Sequence, residues 1–261
     1  MMPSLYKLPY FLKIIIYPIM TLYSFLMPDK FYLINYSGGK IYLNFREGVM
    51  TREVLLGMYE TSKINLFKRI LKPDMTIIDI GAHRGFFSFL SAKLMEDKGK
   101  IYSIEPDSVN LSRLKKGLRA NKYNSIKIIQ LAISNKNGFL KLYKGDKSGH
   151  HSLTEDMGYG STVVKVQKLD DFIKENKIKK VDLIKVDVEG ADVEVIEGAQ
   201  ELLKQENLKI IMDIHNIDRR KLFNIFSKNN CSISKYNSFK TTKIDEKEFI
   251  NSKINEILIE K

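Results

Sequence analysis

The 261 residues are enough for one large α/β domain with a short extension, and a composition of 44% hydrophobic and 28% charged residues is that of a globular chain. The formal net charge of +12 comes mostly from lysines spread over the whole length, which permits contact with phosphates or an anionic membrane but reads first as a solvated surface; no basic stripe with interleaved aromatics is present, so nucleic acid is not an expected partner. Cys231 is the only cysteine, which excludes an intrachain disulfide and fits a reducing, cytoplasmic compartment.

Residues 14–27 carry no charge, and apolar character extends back across Lys13 to residue 8. The run falls short of the about 20 apolar residues of a membrane span, is interrupted by Pro18, and lacks the small-residue cleavage site of a signal peptide. Two readings stay open for residues 1–30: a helical segment packed on the domain, or an extension in peripheral membrane contact through residues 8–27, flanked by Lys7, Lys13 and Lys30. Residues 31–51 form a small unit in which apolar runs flank Ser37, Gly38 and Gly39, the pattern of a hairpin. The main domain is expected from 52 to 261. Its first segment, 52–71, has helical periodicity with Leu55, Leu56, Tyr59 and Phe67 toward a core, and Pro73 and Asp74 stop it. Tyr59 and Glu60 stand within reach of a ligand at the first strand, with a packed tyrosine and a solvated glutamate as their plainer roles.

Residues 75–78 are apolar or β-branched without alternation, which suits a strand buried on both faces of a parallel sheet. Asp79 ends that run, Gly81, Ala82 and Gly85 form a turn of little bulk, and an apolar helical pattern occupies 86–94. In an open α/β sheet this strand-to-helix turn is where ligands bind, because glycines admit close approach and backbone N–H groups point there. A dinucleotide fingerprint would need glycine at positions 83 and 86, where the chain has His83 and Phe86. The spacing of Asp79, Gly81 and Gly85 instead resembles the first motif of class I S-adenosylmethionine (SAM)-dependent methyltransferases. The plainer alternative is a tight βα connection with no ligand. A second apolar run, 101–104, ends in Glu105 and Pro106, and an acid about 20 residues beyond the glycine turn is where nucleotide folds bind a ribose diol.

A helix follows over 108–120 with Asn110 near its start, then a third strand over 126–132, whose end would border the adenine with Gln130 and Ala132 as candidate contacts. Strands at 139–143 and 162–166 surround a polar, Gly-rich insertion, 145–160, of the kind that forms lids. His150 and His151 lie in it; without a cysteine or an i, i+4 histidine pair they read as a solvated or substrate-facing pair, and no metal is expected. A helix opens at Leu169, a fourth buried strand runs over 181–186 into Asp187, Val188, Glu189 and Gly190, and a helix is expected over 191–203. The fifth strand, 208–214, carries Asp213 and delivers His215. The carboxyl edge thus collects Asp79, Glu105, Asp187, Glu189 and His215.

Taken together, the Asp79 to Gly85 turn, Ile104-Glu105-Pro106 with Asn110, the 131–134 segment, Leu169-Asp170, and Lys185-Val-Asp187-Val-Glu189-Gly190-Ala191 through Ala199 closely resemble the FkbM family of SAM-dependent methyltransferases. The likeness covers about 52–215, and residues 257–259 look like the family's last strand. It implies a Rossmann-like class I methyltransferase fold, a mostly parallel seven-stranded sheet with helices on both faces. It also implies O-methylation of a hydroxyl or carboxyl on a sugar, glycan or secondary metabolite. His83 departs from the family's usual asparagine and Asp213 from its common glutamate.

On this resemblance SAM is assigned to Asp79, Gly81, Ala82, His83, Gly85, Glu105, Asn110 and Ala132, and the reaction edge to Asp187, Glu189 and His215. A sugar hydroxyl is a poor nucleophile, so a general base is expected, either Glu189 or His215; histidine has the better unperturbed pKa. The plainer role of Asp187 and Glu189 is to cap the following helix. Two other function classes remain: a catalytically silent membrane-associated module with the same fold, and a nicotinamide-dependent oxidoreductase, which the missing glycine at 83 disfavours.

Overall fold

A computed structural model of the chain describes residues 8–145, 151–214 and 217–261. The chain opens with α1 (Tyr10–Leu26) and an antiparallel hairpin of β1 (Phe31–Tyr36) and β2 (Gly39–Asn44), followed by α2 (Val49–Leu56) and α3 (Thr61–Ile70). The helix expected over 52–71 is therefore two. Gly57, at φ +64, ends α2 in a left-handed cap whose N–H reaches the carbonyls of Glu53 and Val54. The break leaves Tyr59 and Glu60 between the two helices, where both border the cavity described below.

The wound part of the chain runs β3 (Thr76–Ile80), α4 (Phe86–Leu94), β4 (Lys100–Ile104), α5 (Ser108–Asn121), β5 (Ile126–Ile129), β6 (Ala132–Ile133), β7 (Gly138–Tyr143), β8 (Ser161–Gln167), α6 (Leu169–Glu175), β9 (Leu183–Val186) and α7 (Asp192–Glu197). It closes with β10 (Lys209–Asp213), α8 (Arg219–Lys228), β11 (Ser232–Tyr236), β12 (Thr241–Lys243), α9 (Glu246–Asn251) and β13 (Glu256–Glu260). Eight strands form the main sheet in the order β12-β11-β13-β10-β9-β3-β4-β5. The run β10-β9-β3-β4-β5 is parallel, whereas β13 lies antiparallel between β10 and β11. Seven strands are as expected for the fold; the eighth is β12, a three-residue edge strand beyond β11. The third strand is shorter than read from sequence, because Ala132 and Ile133 leave the main sheet to pair with β8 in a small sheet ordered β6-β8-β7. Likewise, the helix expected over 191–203 ends at Glu197, and a separate 3-10 turn occupies Leu202–Lys204.

Alternation along the central strands feeds two cores, one on each side of the sheet. Ile78 and Ile80 join Ile184, Val186, Ile210 and Met212 under α6 to α9, whereas Ile77, Leu183, Ile211 and Leu258 join Phe86, Phe89 and Leu114 under α4 and α5. The hairpin shares this second core through Ile34, Ile41 and Leu43. It is tied to α4 and α5 by Tyr36, which donates its hydroxyl to the Phe86 carbonyl at 2.6 Å, and by Asn121, which bonds the Lys40 backbone on both sides.

Phe89 is fully buried in a slot that two glycines leave open. A Cβ at Gly117, inside α5, would sit 2.7 Å from the Phe89 ring, and one at Gly85 would sit equally close. An alanine in place of a helical glycine usually stabilises by up to about 1 kcal/mol. Here the sign should reverse: Gly117→Ala is expected to lower the urea midpoint, by about 1–3 kcal/mol of overpacking, with no change in slope.

Candidate active site

The turn after β3 is closed by its own hydrogen bonds. Gly81 and Ala82 both donate their N–H groups to the Ile104 carbonyl at 3.0 Å, His83 donates to Glu105 Oε2 at 2.8 Å, and Gly85 donates to the Ala82 carbonyl at 2.8 Å. Gly81 has φ +75, and a Cβ there would lie 1.9 Å from the Asp187 carbonyl oxygen, so only glycine lets the ends of β3 and β9 approach this closely. Glu105 is buried at the end of β4. Its second oxygen accepts from the N–H of Asp107 at 2.9 Å, and Asp107 in turn caps α5 by accepting from Val109 and Asn110. Burial, only partly offset by the N–H groups of Asp107 and His83, pushes the Glu105 carboxyl up to about 7.

At this edge lies a cavity of about 520 Å³, within the range of small-molecule sites. Of the residues assigned to a cofactor from sequence, Gly81, His83, Glu105, Asn110 and Ala132 are on its wall. Asp79, Ala82 and Gly85 are not among its lining residues. Asp79 is buried behind the wall, where it accepts from the Ser88 hydroxyl at 2.5 Å, and Ser88 in turn meets Ser103 at 2.7 Å. Gly85 faces Leu114 and Phe89. Gln130 is exposed, its amide directed at the Pro106 carbonyl at 3.4 Å. Leu131, Ile133, Leu142 and Leu153 give the end of the cavity near Ala132 an apolar lining.

Asp187 and Glu189, assigned to the reaction edge, both line the cavity, whereas His215 lies outside the described residues. Glu189 is held in the left-handed region at φ +51, and its carbonyl accepts from the Ser152 hydroxyl at 2.9 Å. The insertion expected as a lid is thereby fastened to the β9 turn. Its residues His151 and Leu153 reach the cavity wall; His150 is outside the described residues. Among the described residues no three His, Cys, Asp or Glu side chains are grouped to hold a metal ion.

Two buried lysines organise the charge. Lys185 lies 3.1 Å from the Gly81 carbonyl, 3.2 Å from Asp187 and 3.6 Å from Asp79. Burial alone would lower its pKa, but Asp187, Asp79 and Asp213 outweigh it and hold the ammonium charged. Lys63 on α3 was not singled out from sequence. It pairs with Glu60, with Asp213 at 2.5 Å and with Glu256 at 3.5 Å, and all three carboxylates line the cavity. The signal for it is its place on the apolar stripe of α3, four residues after Tyr59 and four before Phe67. Both lysines also face the ring of Phe87, at 5.4 Å and 5.8 Å from its centroid. Burial pushes His83 down to about 4 against the attraction of Asp187, so its imidazole is neutral at physiological pH.

The sheet order, the glycine turn and the acid at the second strand tip define a Rossmann-like class I methyltransferase fold with its crevice at the carboxyl edge. The family described as methyltransferase FkbM domain matches residues 79–250, and the chain belongs to that family. It is 26% identical to the 2-O-methyltransferase NoeI of Sinorhizobium fredii over 55% of this chain and 66% of that protein. It is 30% identical to the methyltransferase sdnD of Sordaria araneosa over 48% of this chain and 60% of the relative, and 23% identical to the hexuronic acid methyltransferase AglP of Haloferax volcanii over 60% and 62%. The chain thus spans 60% to 66% of the length of these curated relatives. Among solved structures, a methyltransferase FkbM from Methylobacillus flagellatus superposes with a TM-score of 0.50 at 14% identity, covering 95% of this chain and 58% of the other.

Removing the Lys63 charge should leave Glu60, Asp213 and Glu256 facing one another with Lys185, which interacts with Asp213, as the remaining buried cation. Lys63→Met is expected to cost about 3–5 kcal/mol, the range for breaking a buried pair, read from urea unfolding at pH 7. Raising the salt concentration should recover little of that loss, because screening acts weakly on buried charges.

Proposed function

We propose that the protein is a SAM-dependent O-methyltransferase acting on a sugar, glycan or secondary-metabolite hydroxyl. SAM fits the cavity residues present: Glu105 offers a carboxylate to the ribose hydroxyls, Asn110 borders the same end, and the apolar wall around Ala132 suits the adenine. The observation that carries this reading is the consumption of the turn's donors. The N–H groups of Gly81, Ala82, His83 and Gly85 are all engaged, so the glycine turn offers no nest for a pyrophosphate, while an acid stands where hydroxyls would be bound. This favours a sulfonium nucleoside over a nicotinamide dinucleotide.

Bound SAM supplies an electrophilic methyl group on sulfur. The protein's task is to set the acceptor oxygen in line with it, a positioning effect that contributes about 7–11 kcal/mol in well-oriented intramolecular models. Asp187, held by Lys185 at 3.2 Å, borders the reacting edge, and Glu189 or His215 receives the hydroxyl proton. Normal turnover in both Asp187→Asn and His215→Ala, with SAM bound, would overturn this assignment. The relatives named for 2-O-methyl transfer and for hexuronic acid methylation support a saccharide acceptor. The single cysteine favours a cytoplasmic setting, and residues 8–27 provide a surface for peripheral membrane contact.

Glu105 sets the pH dependence. Its carboxyl is raised to about 7, so the ionised form that accepts from two hydroxyls becomes available only as pH rises through that value. SAM affinity measured by calorimetry should therefore climb by up to about tenfold per pH unit below 7 and level off above it, as for one linked proton. Glu105→Gln should bind weakly and lose that slope. The stability contribution has the opposite sign: it is full below the ordinary carboxylate range and lost as pH rises through about 7, so the unliganded protein weakens over the interval in which SAM affinity grows.

A further inference from the structure

Helix α1 is oriented with its polarity inverted. Lys13, Met20 and Ser24 face the protein, while nine of the sixteen large exposed apolar side chains among the described residues belong to this one helix, between 45% and 76% exposed. We infer that α1 seats the protein on an anionic membrane surface beside the cavity, and that the methyl acceptor is a lipid-linked saccharide presented there. The second half of this proposal rests on the methyl-transfer reading above.

Three observations select a bilayer surface as the occupant. The 17 residues of α1 extend about 25 Å, and no described helix is long and apolar enough to cross a membrane, so an apolar face of this length fits an orientation in the interface plane. Its exposed side chains mix aliphatic Ile15 and Leu22 with aromatic Tyr10, Phe11, Tyr23 and Phe25, the composition favoured at headgroup depth. Cations stand at its carboxyl end. Lys30 and Arg46 are exposed there, on a chain of net charge +12, which phosphate headgroups would complement and an uncharged apolar partner would not.

The link to the site is short. Arg46 donates to the carbonyls of Met27 at 2.9 Å and Phe25 at 3.3 Å, and the next residue, Glu47, is on the cavity wall. Val49 and Met50 of α2, which packs on α1, continue that wall, and Val49 is 47% exposed. The carboxyl end of α1 and the cavity rim are thus joined by the short stretch from Arg46 to Met50. A saccharide carried on a lipid would reach the cavity without its anchor leaving the bilayer.

The test floats the full chain with phosphatidylcholine vesicles, with and without phosphatidylserine. Binding to the phosphatidylserine vesicles, weakened by salt and reduced about tenfold or more in an Ile15→Glu, Leu22→Glu double variant with unchanged melting temperature, is expected. Failure to bind anionic vesicles overturns the proposal, as does a dimer in solution that the double variant breaks without any vesicle binding. Calorimetric SAM binding, measured on both proteins, reports separately on the methyl-transfer reading and should be equal in the two. With tritiated SAM, label is expected in lipid extract reconstituted in the same vesicles. Label confined to an aqueous extract of the same cells, or in neither pool while SAM binds, overturns the acceptor assignment.

Discussion

The site depends on one buried cation. Lys185 brings three N–H donors to the place where β3 and β9 end, and three oxygens surround it: the Gly81 carbonyl, Asp187 and Asp79. An ammonium inside a sheet is costly to desolvate and is retained only when its partners are well placed. Asp79 is accommodated in a buried position by the Lys185 ammonium and the Ser88 hydroxyl, and Gly81 must be glycine because the Asp187 carbonyl is drawn against it. The same contact fixes the height of the Asp187 side chain at the cavity edge. Folding energy and site geometry are therefore carried by one set of atoms, and a change at any of them is felt at the others.

Much of this was legible from the chain. Short apolar runs located β3, β4 and β9, and acids at their carboxyl ends located the crevice, because a charge tolerated after a buried strand has to face an opening or a counterion. Asp79 illustrates how those two cases diverge. In a strand, residues two apart share a face, so Asp79 follows Ile77 toward α4 and Ser88, not into the cavity, while Glu105 lies just past β4 and faces it. The motif spacing alone does not carry that distinction. Lys63 escaped for a related reason: a lysine on an apolar helical stripe reads as a solvated position unless three carboxylates from elsewhere meet it, and Asp213 and Glu256 are 150 and more residues away. The split of the 52–71 helix was marked by Gly57, whose left-handed cap requires the freedom that glycine has.

The charge pattern divides the cavity into unlike ends. Around Ala132 the wall is aliphatic, and the polar groups there are Glu105, Asn110 and His151, with His83 neutral. Around Asp213 the wall carries Glu60, Asp187 and Glu256 with Lys63 and Lys185 behind them, an arrangement with more carboxylates than cations. Burial and Asp187 raise the Asp213 pKa against the pull of Lys63, which marks this end as one that resists further negative charge. On the proposed reading, the aliphatic end takes the nucleoside, and the acidic end faces the acceptor.

That division bears on which acceptors the site can take. A carboxylate or phosphate brought to the acidic end would meet like charges in a partly desolvated space, where Coulomb repulsion is far stronger than in water. A hydroxyl carries no such penalty, donates to any of the surrounding carboxylates, and becomes more nucleophilic as it does so. On the proposed reading, any anionic group on the acceptor is better placed away from the reacting oxygen, outside the cavity, where Arg46 and Lys30 are exposed at the carboxyl end of α1. Glu60, Asp187, Asp213 and Glu256 on that reading surround the reacting hydroxyl, and Arg46 and Lys30, outside the cavity, stand where a phosphate-bearing carrier or surface would be met.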